Sequence, residues 1–239
     1  MGKLSYKSLI PIYALLMALC FIFAWATSKV VTVLGENQGI TPGKCVVIDA
    51  GHGGVDGGTT SCSGIPESQY NLEIALRLND LMHLLGINTV MIRTEDISVY
   101  TSGNSIAQKK ISDLKERVRI TNSTGDGILI SLHQNYFSDR RYSGPQVFYA
   151  ATQGSPELAK QLQSALNQSL CPENNRQVKK ATGIYLMQNI TTTGVLVECG
   201  FLSNTQEEAR LRSPVYQQNL CCVLATVVSN YLYGKNTVA

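Results

Sequence analysis

Charged side chains make up only 15% of the 239-residue chain, and histidine occurs only 3 times. No acidic residue precedes residue 27. Setting aside Lys3 and Lys7, which belong to an N-terminal leader, leaves 18 basic against 17 acidic residues, a balance of +1. That near-neutrality offers no basic face to a nucleic acid. The 7 cysteines, at positions 20, 45, 62, 171, 199, 221 and 222, contain no C-x-x-C pair and are odd in number. Most sit inside apolar runs, where they read as core filler rather than as a thiolate metal site or a disulfide framework. Cys62 is the loop cysteine nearest in sequence to the functional stretch described below, and an exported chain could oxidise some of the set. Neither G-x-G-x-x-G nor Gly-Lys-Ser/Thr occurs, so the usual phosphate-holding loops are excluded.

What is present is 44% hydrophobic composition over a length suited to one sizeable domain with an extension. Lys3 and Lys7 precede an uncharged apolar stretch of 18 residues, 9–26, that closes in Ala24-Trp25-Ala26. The small-x-small ending suits cleavage, and the span is near the lower limit for a membrane helix. Residues 1–26 are therefore expected to be a signal peptide or an N-terminal membrane anchor. Leu19 is larger than the residue that usually precedes a lipidated cysteine, which argues against lipidation at Cys20. Residues 27–43 lack periodicity, end in Pro42-Gly43 and read as a linker. A single catalytic domain is expected over residues 44–239.

The stretch around which the chain is organised is Val46-Val47-Ile48-Asp49-Ala50-Gly51-His52-Gly53-Gly54-Val55-Asp56-Gly57-Gly58. Its uninterrupted β-branched start is that of a strand covered on both faces. Five glycines then surround one histidine, with aspartates on either side, a composition that suits a cation better than a phosphate. Downstream, Ile74, Leu78, Leu81 and Leu85 repeat at helical spacing up to Gly86, which places Glu67 at a helix start. A carboxylate there is favoured by the helix dipole alone, yet it is also held rigidly enough to be a ligand.

Residues 87–94 predict a second strand, 95–110 a long surface loop, and 113–122 a return to helix. A third strand over 127–132 delivers His133. Residues 144–150 predict a strand, 156–170 an amphipathic helix, and 183–189 (GIYLMQN) a short extended piece. A further buried strand, Gly194-Val195-Leu196-Val197, ends in Glu198, and 214–233 is an apolar helix. The remaining histidine, His83, lies mid-helix among leucines, where a packing or surface role is expected. Strands alternating with helices predict an α/β fold, a three-layer α/β/α sandwich around a mixed, mostly parallel sheet, with ligands at strand carboxyl ends. Those ends are where His52, His133 and Glu198 fall. Two histidines and two carboxylates supply what hydrolytic zinc chemistry requires: three ligands, an open position for water, and a base.

The stretches IDAGHGGVDGG, PESQYNLEIALRL, DLKERVRITN, ILISLHQN and VLVECGFLSN, in that order, make the chain similar to the zinc-dependent N-acetylmuramoyl-L-alanine amidases, the family often called Amidase_3. The resemblance runs from about Lys44 to Tyr233. It implies Zn2+ as cofactor, His52, Glu67 and His133 as metal ligands, and Glu198 as the catalytic residue. The implied reaction is hydrolysis of the amide between the lactyl group of N-acetylmuramic acid and L-alanine in peptidoglycan. Two positions depart from the family pattern: Gln134 stands where a small residue is common, and Gly194 where many members have proline. The short span between His133 and the next strand leaves no room for a plugging helix, and wall-binding repeats are missing. The leader or an accessory protein is then expected to keep the domain at its substrate.

GIYLMQN followed by GVLVECGFLSN most resembles the spore-cortex, germination-specific amidases. These strip whole peptides from muramic acid as the first step toward muramic-δ-lactam, which implies export to the forespore or cortex compartment. Asp49 is a candidate to orient His52 or to stabilise the turn. The rival readings are a zinc peptidase or carboxypeptidase acting within the stem peptide, and a non-catalytic wall-associated scaffold.

Overall fold

The computed structural model describes residues 45–234; the expected leader and linker lie outside them. A 6-stranded sheet runs in the order β2-β1-β3-β6-β4-β5. Its strands are β1 (Val46–Ala50), β2 (Thr89–Met91), β3 (Ile128–Asn135), β4 (Gln146–Tyr149), β5 (Lys179–Lys180) and β6 (Thr193–Phe201). β2, β1, β3 and β6 are parallel, and β4 is antiparallel to β6 and parallel to β5. The sheet is thus mixed and mostly parallel. The helices are α1 (Glu67–Leu84), α2 (Ile106–Asn122), α3 (Ser155–Leu170), α4 (Tyr185–Asn189), α5 (Thr205–Leu211) and α6 (Pro214–Tyr233).

The period of two along a strand divides the side chains between the two faces. Val46, Ile48 and Ala50 of β1, Ile128, Ile130 and Leu132 of β3, and Val195, Val197 and Cys199 of β6 share one apolar cluster. Ile74 and Leu78 of α1, Leu158 and Leu162 of α3, and Leu220 and Leu224 of α6 complete it. The opposite face carries a smaller cluster of Val47, Leu129 and Leu196 under Leu186 and Met187 of α4, with Val118 and Ile120 of α2 packed against it. Helices on both faces make the expected three layers. Each fully buried aliphatic side chain contributes roughly 1.5–3 kcal/mol, so the thicker layer dominates stability.

Several local expectations are corrected. α2 starts at Ile106, inside the stretch expected to be loop, because Ser105 and Gln108 form a capping box that satisfies the first amide groups. GIYLMQN is not extended: residues 185–189 form the short helix α4, whose Leu186 and Met187 are buried against the sheet. Apolar residues with no clear period cannot be told apart as strand or helix from sequence. α5, capped by the Asn204 side chain on Gln206 and Glu207 amides, and the two-residue edge strand β5 were not expected. β2 is confined to Thr89–Met91. β3 and β6 run past His133 and Glu198, so these residues lie within their strands rather than after them.

Among the described residues, no helix is long and apolar enough to cross a membrane, and Cys45, Cys62, Cys171, Cys199, Cys221 and Cys222 are all free.

Candidate metal centre

Parity decides which face carries the polar groups. Asp49 of β1 pairs in register with Ser131 of β3, and His133 of β3 with Glu198 of β6. All four alternate with residues of the thick apolar layer and so point to the thinly covered side, beneath α2 and α4.

After Ala50 the backbone enters the glycine loop, and His52 takes φ +60°, an uncommon conformation for a residue with a side chain. Two buried arginines hold that conformation through three consecutive carbonyls. Arg93 donates to Ala50 O (2.8 Å), Gly51 O (3.0 Å) and Ser68 O (2.9 Å). Arg117 of α2 donates to Ala50 O (3.0 Å) and His52 O (2.7 Å), and is ion-paired with Asp49 and Asp113. Burial alone would raise the Asp49 pKa, but Arg117, His133 and the Ser131 hydroxyl together outweigh it and hold the carboxyl below its usual range. Asp49 also accepts from Ser131 Oγ (2.6 Å). It therefore acts on the His52 backbone through Arg117 and does not orient the imidazole.

The carboxylate on the imidazole is Asp56, four residues further along the loop. Its Oδ2 lies 3.1 Å from His52 Nδ1 and 3.0 Å from Lys110 Nζ. This leaves His52 Nε2 facing Glu67 Oε2 at 3.3 Å. Burial tends to lower the His52 pKa, but hydrogen bonding and charge from Glu67, then Asp56, raise it overall.

Glu67, the first residue of α1, receives donors on both oxygens. Oε2 accepts from Thr59 N (3.1 Å); Oε1 accepts from Gln134 N (3.1 Å) and Asn71 Nδ2 (3.2 Å) and lies 3.0 Å from His133 Nδ1. Burial pushes its pKa up, but the bonds to His133 and His52 outweigh this and keep it ionised far below the normal carboxylate range. The Gln134 amide is free to donate because the β3–β6 register shifts between His133 and Asn135, the local use of a bulge to re-aim groups beside a site. Gly51 is required because a Cβ there would collide with the His133 imidazole. Gly58, at φ +71°, would place a Cβ 2.7 Å from Glu67 Oε2.

His52 and His133 stand edge to face, with ring centroids 4.9 Å apart. One ligand atom from each of His52, Glu67 and His133 lies within 4.8 Å of the others. Two imidazole nitrogens and a carboxylate oxygen, with Asp56 on the far nitrogen of one imidazole, form a donor set that fits a hydrolytic zinc ion.

Glu198 Oε2 is buried with no hydrogen-bond partner. Burial pushes its pKa up to about 7, His133 and His52 pulling against that push and Glu67 adding to it. The two histidines, Glu67 and Glu198 are therefore brought together as expected. His83 lies elsewhere, exposed, its Nε2 2.7 Å from Thr89 Oγ1. A cavity of about 250 Å³ opens among His52, His133 and Glu198, walled by Leu114, Ile184, Leu186 and Leu196. A larger hollow of about 810 Å³ lies at the amino ends of β3 and β6 and contains none of these groups, so the chemistry belongs to the smaller one.

Of the two departures, Gln134 is buried with Nε2 donating to Asn71 Oδ1 (3.2 Å) but Oε1 left without a hydrogen-bond partner, whereas the Gly194 amide donates to Ser155 Oγ (2.9 Å), a bond that proline could not make. Sequence reasoning missed Arg93, Arg117 and Asn71. Asp56, in the loop four residues after His52, was the one legible signal.

The family model for N-acetylmuramoyl-L-alanine amidase matches residues 46–230. The chain is similar to the germination-specific N-acetylmuramoyl-L-alanine amidase of Bacillus subtilis, 34% identical over 81% of each chain. Among solved structures it is similar to the CwlD amidase from Clostridioides difficile in complex with the GerS lipoprotein, with 34% identity, a TM-score of 0.75, and coverage of 79% of this chain and 98% of that one. It is also similar to an N-acetylmuramoyl-L-alanine amidase from Clostridium difficile 630, with 30% identity, a TM-score of 0.70, and coverage of 82% and 100%.

Proposed function

Because the chain belongs to the N-acetylmuramoyl-L-alanine amidase family, hydrolases of the lactyl–L-alanine amide in peptidoglycan, we propose that it is a zinc enzyme of the spore cortex with separate residues for metal binding and proton transfer. The carrying observation is Glu198. Its carboxylate is buried, lacks a hydrogen-bond partner on Oε2, titrates near neutrality, and stands in register with His133.

His52 Nε2, a Glu67 oxygen and His133 Nδ1 are the proposed ligand atoms. When bound, zinc supplies Lewis acidity that polarises the lactyl carbonyl and makes water more acidic. Glu198 accepts the proton of the attacking water on a carboxylate oxygen and returns it to the L-alanine nitrogen as the C–N bond breaks. A group with a pKa of about 7 can do both near neutral pH. Glu67 stays ionised throughout, because three donors and two imidazoles would be left unmatched by a neutral carboxyl. Asp56 keeps the Nδ1 proton of His52 and so presents Nε2 to the metal, while Leu114, Ile184, Leu186 and Leu196 limit water on the far side.

The cortex role is supported by likeness to a germination-specific amidase, and an accessory lipoprotein by the complex in which a similar amidase was solved. Peptidoglycan is extracytoplasmic, and residues 1–26 are proposed to export or anchor residues 44–239 there. The test is mass spectrometry of muropeptides after incubation with the full chain and zinc. Peptides with a new N-terminal L-alanine, together with free lactyl carboxyl groups, are expected. Release of D-alanine would establish a carboxypeptidase instead, and unchanged muropeptides a scaffold.

A further inference from the structure

Beyond Glu198 the thinly covered face of the sheet continues into an aromatic ledge. The register pairs Asn135 with Phe201 after the bulge, which returns Phe201 to the face shared by His133 and Glu198. The Phe201 ring lies beside Tyr142, with centroids 6.1 Å apart, and Tyr142 meets Phe137 edge to face at 4.7 Å. Arg176 covers these rings: its guanidinium carbon is 4.7 Å from the Phe201 centroid and 5.5 Å from that of Tyr142. Arg176 Nε donates to Ser143 O (3.1 Å), and Nη1 reaches Gln146 Oε1 at 3.4 Å. Gln146 is the register partner of Glu198 on β4. The guanidinium therefore stands beside the residue that neighbours the proposed proton-transfer group.

The placement has two consequences. With the guanidinium over them, the faces of Phe201 and Tyr142 are not open for stacking by a sugar ring. A planar fork held by two rings and a carbonyl loses little freedom when it binds, and its remaining N–H groups match a carboxylate. Among the described residues no carboxylate is ion-paired with Arg176, and Nη2 makes no hydrogen bond. The acids nearby are otherwise arranged. Asp139 is paired with Arg141 (2.7 Å), and Glu207 is buried, accepting from the Gly144 and Phe201 amides. Glu173, exposed and not ion-paired with Arg176, lines the same 550 Å³ hollow, as does the already engaged Glu207. Exposed Lys179 and Lys180 on β5 add positive charge along the same edge.

We propose that Arg176, stacked on Phe201 and Tyr142, binds a carboxylate of the peptide portion of the substrate and selects muropeptides with free acids over their amides. This rests on the amidase reading and deepens it by naming the substrate feature recognised.

The experiment compares wild type, Arg176→Gln and Arg176→Lys on two muropeptide pools, one with free peptide carboxylates and one with those carboxylates amidated, with zinc content and thermal midpoint recorded for each protein. For Arg176→Gln, kcat/KM on the free-acid pool should fall about 10- to 100-fold, mainly through KM, the loss expected for a charge-assisted fork. On the amidated pool the loss should be much smaller, because an amide oxygen accepts only a neutral hydrogen bond from the fork. Arg176→Lys should fall between the two. Equal losses on both pools, or none on either, would overturn the assignment. Calorimetric titration of the full chain with free stem peptide and with its amide reads the same contact without cleavage. A chain that binds the acid better than the amide but cuts neither pool would therefore refute the amidase reading and leave the Arg176 contact standing.

Discussion

The two faces of the sheet are built from the same strands and do opposite work. On one, Val46, Ile48, Ala50, Ile130, Leu132, Val195 and Val197 meet α1, α3 and α6 in a continuous apolar layer. On the other, the intervening positions pass from Val47, Leu129 and Leu196 to Asp49, Ser131, His133 and Glu198 toward the carboxyl ends. The apolar face sets the register, because a slip of one residue would expose every member of it. Once the register is set, the polar residues have no freedom about where they point. An ionisable cluster that would be costly in isolation is thus held by residues that never touch it.

The contrast can be broken hardest at the proposed metal ligands. His52→Ala, Glu67→Ala or His133→Ala each removes one of the three proposed protein ligands, so zinc content by elemental analysis and amide hydrolysis should be lost together while the apolar face keeps the chain folded. Next in size is Glu198→Gln, which should keep zinc and fold yet lower turnover on the order of 10²- to 10⁴-fold. Loss of zinc in that variant, or retained activity, would sink the division of roles.

The same substitution carries a pH signature in the metal-free chain. The Glu198 pKa is raised from 4.5 to about 7 in the folded state. The unfolded chain therefore ionises first, and the Glu198 contribution to stability, whole below pH 4.5, is lost progressively up to about 7. The difference in thermal midpoint between Glu198→Gln and wild type should accordingly move in favour of the variant across that window; a constant difference would contradict the buried, unpartnered carboxylate.

Ile130→Ala tests the other face. It should cost about 2–5 kcal/mol in denaturant unfolding, the usual range for a buried large-to-small change, while leaving zinc bound at temperatures where the chain is folded. The smallest effect is expected from His83→Ala, which removes an exposed contact with Thr89 and should leave zinc content and turnover near wild type. A marked loss of zinc in that variant would mean the metal site extends beyond the residues assigned here.

Much of this organisation was legible in the chain alone. β-branched runs leading to His52, His133 and Glu198 encode both the buried strands and the polar groups toward their carboxyl ends, while the polar Asp49 and Ser131 within those strands are buried only because they are paired with Arg117 and with each other. The four-three-four spacing of Ile74, Leu78, Leu81 and Leu85 encodes α1 and so the position of Glu67 at its start. Other features depended on contacts between residues distant in sequence. Residues 185–189 are helical because the sheet accepts Leu186 and Met187 from a short turn, and nothing local distinguishes that from an extended piece. Asp49 and Asp56 flank the same histidine, and only the folded loop shows that Asp49 is drawn away by Arg117, 68 residues on, while Asp56 reaches the ring. Composition and period are local quantities that determine which faces are buried and which residue types are on hand. Pairings such as Arg117 with the His52 carbonyl, or Gln134 N with Glu67, arise only when the closed sheet brings their elements within hydrogen-bond distance, and so the tertiary structure alone decided them.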